Sequence, residues 1–106
     1  MLALTLFRLK PGRTVDEYRA YTEAKLHDGM NAMPSVVRFR DLEITGAMVG
    51  STAGWDLVEL IDVTSPADFE RDHEGPPGKD VADEWSTWIE DYTVLWCDPL
   101  VERSRV

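Results

Sequence analysis

The stretch 55-WDLVELIDVTSPADF-69 decides the fold. Its first nine residues alternate. Trp55, Leu57, Glu59, Ile61 and Val63 fall on one side of an extended chain, and Asp56, Val58, Leu60 and Asp62 on the other. Both sides carry large apolar residues, as expected of a strand with something packed on each face. Ser65-Pro66 then marks a helix start, with serine as N-cap and proline in the first turn. A short helix from there should carry Phe69 inward.

Working outward from this stretch, 36-VVRFRDLEI-44 reads as a strand that alternates at Val37, Phe39 and Asp41 against Val36, Arg38 and Arg40. The small, flexible 45-TGAMVGSTAG-54 joins the two strands. Further upstream, 2-LALTLFRL-9 is a strand ending at Pro11-Gly12. Thr14 and Glu17 form a capping box, which predicts a helix from Val15 to about Gly29. Val15, Tyr18, Thr22 and Leu26 share its apolar face, which Met30 and Met33 extend. Pro34 ends the helical region. Downstream, 70-ERDHEGPPGKD-80 is a stiff polar loop. A helix over 80–91 presents Val81, Trp85, Trp88 and Ile89 as a stripe, and 92-YTVLWCDPL-100 is the last strand.

The order β-α-β-β-α-α-β is the split βαβ, ferredoxin-like arrangement of the α+β class, with its second crossover helix broken in two. It predicts a four-stranded antiparallel sheet with helices on one face. The apolar residues on the other face need cover. A second copy packed sheet against sheet, forming a dimeric α/β barrel, supplies it. The 106 residues suit a single domain over 1–106, with a loosely ordered tail from about residue 100.

The charge balance narrows the partners. With 20 acidic and 11 basic residues the net charge is −9, which repels phosphate backbones and argues against nucleic acid. The N-terminus lacks the charged and long apolar regions of a signal peptide, and no apolar run reaches the roughly 18 residues of a membrane span. The expectation is a cytoplasmic protein. Cys97 is the single cysteine and lacks a basic neighbour, which makes it a small buried hydrophobe. Two histidines far apart make no metal site, and phosphate-loop, dinucleotide, HExxH and GxSxG motifs are absent.

The segments YRAYTEAKLHDGMNAMPSVVRFRDLEITG, WDLVELIDVTSPADFERD, EGPPGKDVADEW and DYTVLWC, spread over about residues 2–98, resemble the RedY/HapK-like family of the dimeric α/β-barrel superfamily. The antibiotic-biosynthesis monooxygenases, EthD-like proteins and stress-responsive barrel proteins are its relatives. The resemblance implies bacterial specialised metabolism of the prodiginine and other pyrrole- or indole-derived kind. It further implies action on a flat aromatic intermediate without a bound cofactor.

Several residues could carry such chemistry. His73 and Glu74 sit in the polar loop, where histidine can serve as general acid or base and the loop could cover a cavity; the same residues also suit a solvated turn. His27 flanks the first helix, and Gly29 close behind it could loosen the helix enough to turn the ring inward. Lys25 is spaced for an ion pair with Asp28 and lies nearer the tyrosines. Glu59 stands between Leu57 and Ile61 on one strand face. If that face looks toward the helices, burial would raise its pKa and suit it to acid–base work; otherwise it faces a partner or solvent. Tyr18, Tyr21, Trp55, Trp85 and Trp88 could line a slot for a flat ring, or simply pack the core.

Two functions of different class follow. The first is a cofactor-independent enzyme that uses proton transfer to drive a condensation, cyclisation, hydrolysis or dehydration, with an oxygenase drawing on the substrate's own electrons as a variant. The second is a non-catalytic carrier or assembly protein that binds the same intermediate or a pathway enzyme. A plain stress-responsive barrel protein would have no pocket.

Overall fold

In a computed structural model describing residues 1–103, the chain runs β1 (Leu2–Leu9), α1 (Val15–Tyr21), a π-helical turn (Thr22–Leu26), α2 (His27–Asn31), β2 (Val36–Glu43), β3 (Leu57–Val63), α3 (Pro66–Glu74), α4 (Gly78–Ser86) and β4 (Ile89–Cys97). The strands form one antiparallel sheet in the order β2-β3-β1-β4, the ferredoxin-like topology. Residues 98–103 follow without a regular element, and the last three residues of the expected loose tail lie outside the described residues.

The caps predicted from sequence form. Thr14 Oγ1 accepts from Glu17 N at 3.1 Å while Glu17 Oε1 accepts from Thr14 N at 3.0 Å. Ser65 Oγ accepts from Asp68 N at 3.1 Å and opens α3. Each such cap is worth about 1 kcal/mol.

Four local expectations are corrected. The polar loop expected over 70–80 is only residues 75–77, because α3 runs on to Glu74 and α4 begins at Gly78, so His73 and Glu74 are helical. Thr22 Oγ1 donates to Tyr18 O at 2.9 Å, and the next turn widens so that the His27 N–H bonds Thr22 O, five residues back. The buried positions of this face are therefore Tyr18, Tyr21, Leu26 and Met30, with a five-residue step across the wide turn. In β2, Val36 pairs with Val63 and Arg38 with Asp62, so Val37 is the extra residue of a bulge and is 69% exposed. Val36 and Phe39, not Val37, pack on the core. The last helix ends at Ser86 rather than Asp91. Ser86 Oγ and Thr87 Oγ1 donate to the carbonyls of Asp83 and Glu84, each at 2.7 Å, and compete with continuation of the helix. Ile89 is then free to enter β4 opposite Leu9.

The helix-facing side of the sheet is the core. Ala3, Thr5, Phe7 and Leu9 of β1 and Leu57, Glu59, Ile61 and Val63 of β3 are all buried. Phe7, Tyr18 and Trp85 make one aromatic cluster, with Phe7 centroids 5.5 Å from Tyr18 and 5.3 Å from Trp85. Gly29 marks where α2 meets α4: a Cβ there would stand 2.5 Å from Val81 Cγ2. Its smallness serves this close approach and does not turn His27 inward. On the other side of the sheet, Leu4, Leu6, Val58 and Leu60 are half-buried, while Leu42 and Leu95 are exposed. Nothing among the described residues packs over them.

Candidate active site

A cavity of about 230 Å³ lies between the sheet and the helices, lined by Thr5 and Glu59 from the sheet, Leu26 and Met30 from the first helical segment, and Phe69, His73 and Trp85 from α3 and α4. Tyr92 and Val94 of the edge strand β4 line its open side and are themselves exposed. The lining is mainly apolar with a few polar groups, the usual make-up of a small-molecule site.

Glu59 is the most unusual of those groups. It sits in the middle of β3, faces the helices, and is only 7% exposed. The β3 alternation that places Leu57 and Ile61 in the core places Glu59 there too. Its register partner on β1 is Thr5 and its partner on β2 is Asp41, so two carboxyl groups lie side by side across adjacent strands. Glu59 Oε2 and both Asp41 carboxyl oxygens are buried without a hydrogen-bond partner of good geometry. Burial pushes Glu59 well above the usual carboxylate range, and the neighbouring Asp41 charge pushes it further. Burial also raises Asp41, to about 6, with Glu59 and Tyr18 partly opposing the rise.

Behind the pair stands Tyr18, 2% exposed, whose hydroxyl oxygen accepts a hydrogen bond from Trp85 Nε1 at 2.8 Å. Burial, then the charges of Asp41 and Glu59, hold the Tyr18 phenol protonated far above its ordinary range. A second cavity of about 260 Å³ lies on the other side of Tyr18, lined by Asp41, Tyr18 and Leu57 together with Arg19, Glu23 and Glu43.

His73 is half-buried at the end of α3 and lines the first cavity. Its Nδ1 lies 2.8 Å from the Phe69 carbonyl oxygen, which can only accept. That bond places the proton of the neutral ring on Nδ1 and leaves Nε2 as the free nitrogen. Phe69 meets the ring edge-on at 4.4 Å and fixes its plane. Asp72 beside it accepts from Ser35 N at 2.9 Å, which lowers its pKa and ties α3 to the start of β2.

The cavity therefore unites Glu59, His73 and Trp85 of the residues singled out from sequence, with Tyr18 directly behind. Others lie elsewhere. His27 is exposed, its ring 6.5 Å from Phe39. Lys25 is exposed and pairs with Glu84 at 3.2 Å instead of Asp28. Glu74 is exposed at the end of α3. Tyr21 stacks on Trp88 at 5.1 Å, and Arg13 covers that indole at 3.8 Å. Trp55 lies under Arg8 at 4.3 Å, away from the cavity. Asp41 was missed as a site residue; the signal available was its place in the alternation of β2, on the same face as Phe39. Among the described residues no group of three or more His, Cys, Asp or Glu could hold a metal ion. None of their helices is long and apolar enough to cross a membrane.

Fold and site together define a ferredoxin-like α+β protein with an acid-lined cavity between sheet and helices. The chain belongs to the REDY-like protein HapK family, whose model matches residues 1–100. It is similar in structure to HapK from Hahella chejuensis, with 20% identity, a TM-score of 0.72, and coverage of 99% of this chain and 100% of that one. It is also similar to the hydroxynitrile lyase from Passiflora edulis, at 20% identity, TM-score 0.74 and coverage of 89% and 87%. A third likeness is to a dimeric ferredoxin-like protein of unknown function from Thermobifida fusca, at 15% identity, TM-score 0.64 and coverage of 89% and 85%. A comparison with curated proteins gave no match.

Proposed function

We propose that this protein is a cofactor-independent acid–base enzyme of bacterial specialised metabolism, acting in the cytoplasm on a flat pyrrole- or indole-like intermediate. The observation that carries this reading is Glu59: a buried carboxyl group with an unpartnered oxygen, in the wall of an apolar cavity that His73 also lines. A carboxyl group in such a place is costly to fold and is explained by use. Glu59 would donate a proton to the bound intermediate, and His73 Nε2 would accept one, driving a condensation, cyclisation, hydrolysis or dehydration. Trp85, Phe69 and Tyr92 would hold the flat ring. That one structural relative is a lyase and that the family is HapK-like supports an enzymatic reading.

The working form in this reading is a homodimer. The uncovered leucines of the opposite sheet face would pack on a second copy, in keeping with the relative described as dimeric.

The test is a tryptophan-fluorescence titration with bipyrrole and indole carboxylates and aldehydes, with product masses read from the same samples. Quenching with a new mass that Glu59→Gln abolishes is the expected result. Quenching with ligand recovered unchanged would make the protein a carrier, and no quenching by any compound would overturn the reading.

A further inference from the structure

We propose that Asp41 and Glu59 form one carboxyl dyad that shares a proton, with Glu59 facing the inner cavity and Asp41 the outer one. The inference rests on the reading of Glu59 as an acid–base group and adds its proton supply.

The geometry has three parts. The two residues are direct cross-strand partners, so their side chains leave the sheet on the same face as neighbours. Three of their four carboxyl oxygens are buried and unpartnered, and among the described residues no cation forms an ion pair with either carboxyl group. Each residue lines a different cavity: Glu59 the one with His73 and Trp85, Asp41 the one with Arg19, Glu23 and Glu43. Tyr18, bonded to Trp85, stands at the boundary.

Side-by-side buried carboxylates repel each other, so at equilibrium the pair retains one proton at neutral pH and the doubly ionised form is a short-lived, high-energy state. The groups around it favour this. Tyr18 and Tyr21 from α1 are neutral, Glu43 of β2 lines the outer cavity beside Asp41, Glu84 of α4 is paired with Lys25, and His73 lines the inner cavity from α3. Arg19 lies at the outer cavity, where Asp16 engages it at 2.9 Å. When Glu59 gives its proton to a substrate atom, its O–H bond breaks and both carboxylates are briefly charged. A proton from water in the outer cavity then binds Asp41 and passes to Glu59. Asp41 never touches substrate in this scheme; it is a positioning residue.

The test needs no substrate, so its failure is separable from failure of the proposed function. The protein is labelled with ¹³C at Asp and Glu carboxyl carbons and titrated by NMR as wild type, Asp41→Asn and Glu59→Gln. A dyad gives two well-separated steps in the wild type, each felt at both carbons, and each single variant lowers the remaining carboxyl by about one pH unit or more. Independent titration, meaning a remaining step that moves by less than that, would overturn the proposal. So would two steps at ordinary carboxylate pH. If a variant fails to fold, the wild-type curve decides alone through the presence or absence of two steps shared by both carbons.

Discussion

His27 and His73 both sit at a helix end, at the start of α2 and near the close of α3, but one is exposed and the other lines the cavity. The difference lies four residues back on each helix. His73 follows Phe69, an apolar residue that packs against the core, so the ring lies on the same inward stripe and its Nδ1 reaches the Phe69 carbonyl. His27 follows Glu23, an exposed acid, across a π-helical turn that keeps Leu26 in the core and leaves His27 outside. For these two rings the i−4 neighbour, not nearness to a helix end, goes with the inward or outward placement.

The sharpest way to break this comparison is to remove each ring. His73→Ala should lower turnover about 100-fold or more, the usual worth of a positioned general acid or base. His27→Ala should change it by less than about twofold. Steady-state kinetics on a compound that passes the fluorescence and mass test decide the matter; equal losses would remove His73 from the site.

A second contrast sets Glu59 against Glu74, a buried acid against an exposed one of the same type. Burial raises the folded-state pKa of Glu59 and of Asp41, the latter to about 6 from 3.8. The folded state thus binds these protons more tightly than the unfolded state does. Their effect on stability is most favourable below the unfolded carboxylate range and is lost as pH rises through the folded values. Glu59→Gln should therefore stabilise the fold at pH 8 by about 1–3 kcal/mol and flatten the decline above pH 4, whereas Glu74→Gln should do neither. Urea unfolding of the three proteins from pH 4.5 to 8 measures it. A wild-type curve that rises with pH and is unchanged by Glu59→Gln would place Glu59 in water.

The fold was legible because its signals are local. The alternation of 55–63, the caps at Thr14 and Ser65, and the breaks at Pro11-Gly12 and Pro34 each act within a few residues. The wall of the cavity was legible in part. Glu59 stood out because a carboxylate between Leu57 and Ile61 violates its strand's pattern, though only the packing of the helices tells which face it takes. Asp41 carried only a weaker mark, its place on the Phe39 face of β2. Its neighbours Arg40 and Glu43 are charged, and what makes it unusual is its register against Glu59, a long-range fact. The π-helical turn and the β2 bulge were invisible for the same reason: each adds a residue that tertiary contacts, not propensity, select. The end of α4 lay within reach, since Ser86-Thr87 is a poor helix interior that the apolar stripe through Trp88 outweighed.

Trp85 and Trp88 share that stripe in the sequence and part company in the structure. Trp85 joins the Tyr18 cluster through a hydrogen bond, and Trp88 caps Tyr21 beyond the helix. Trp85→Phe keeps an aromatic ring beside Phe7 but leaves Tyr18 Oη without its donor. It should cost about 1–2 kcal/mol of stability in urea unfolding.

Lys25→Ala gives the smallest effect, and for an instructive reason. Its ammonium pairs with Glu84 between the first helical segment and α4, near the same cluster, yet the lysine side chain is 66% exposed and the glutamate 45%. Water and salt screen that pair, and two flexible side chains lose freedom in making it. The loss should stay below about 1 kcal/mol and shrink further in 0.5 M salt, while the Trp85→Phe loss persists. A Lys25→Ala defect as large as the Trp85→Phe one, and indifferent to salt, would mean that α4 is held to the first helix by charge and not by the aromatic cluster.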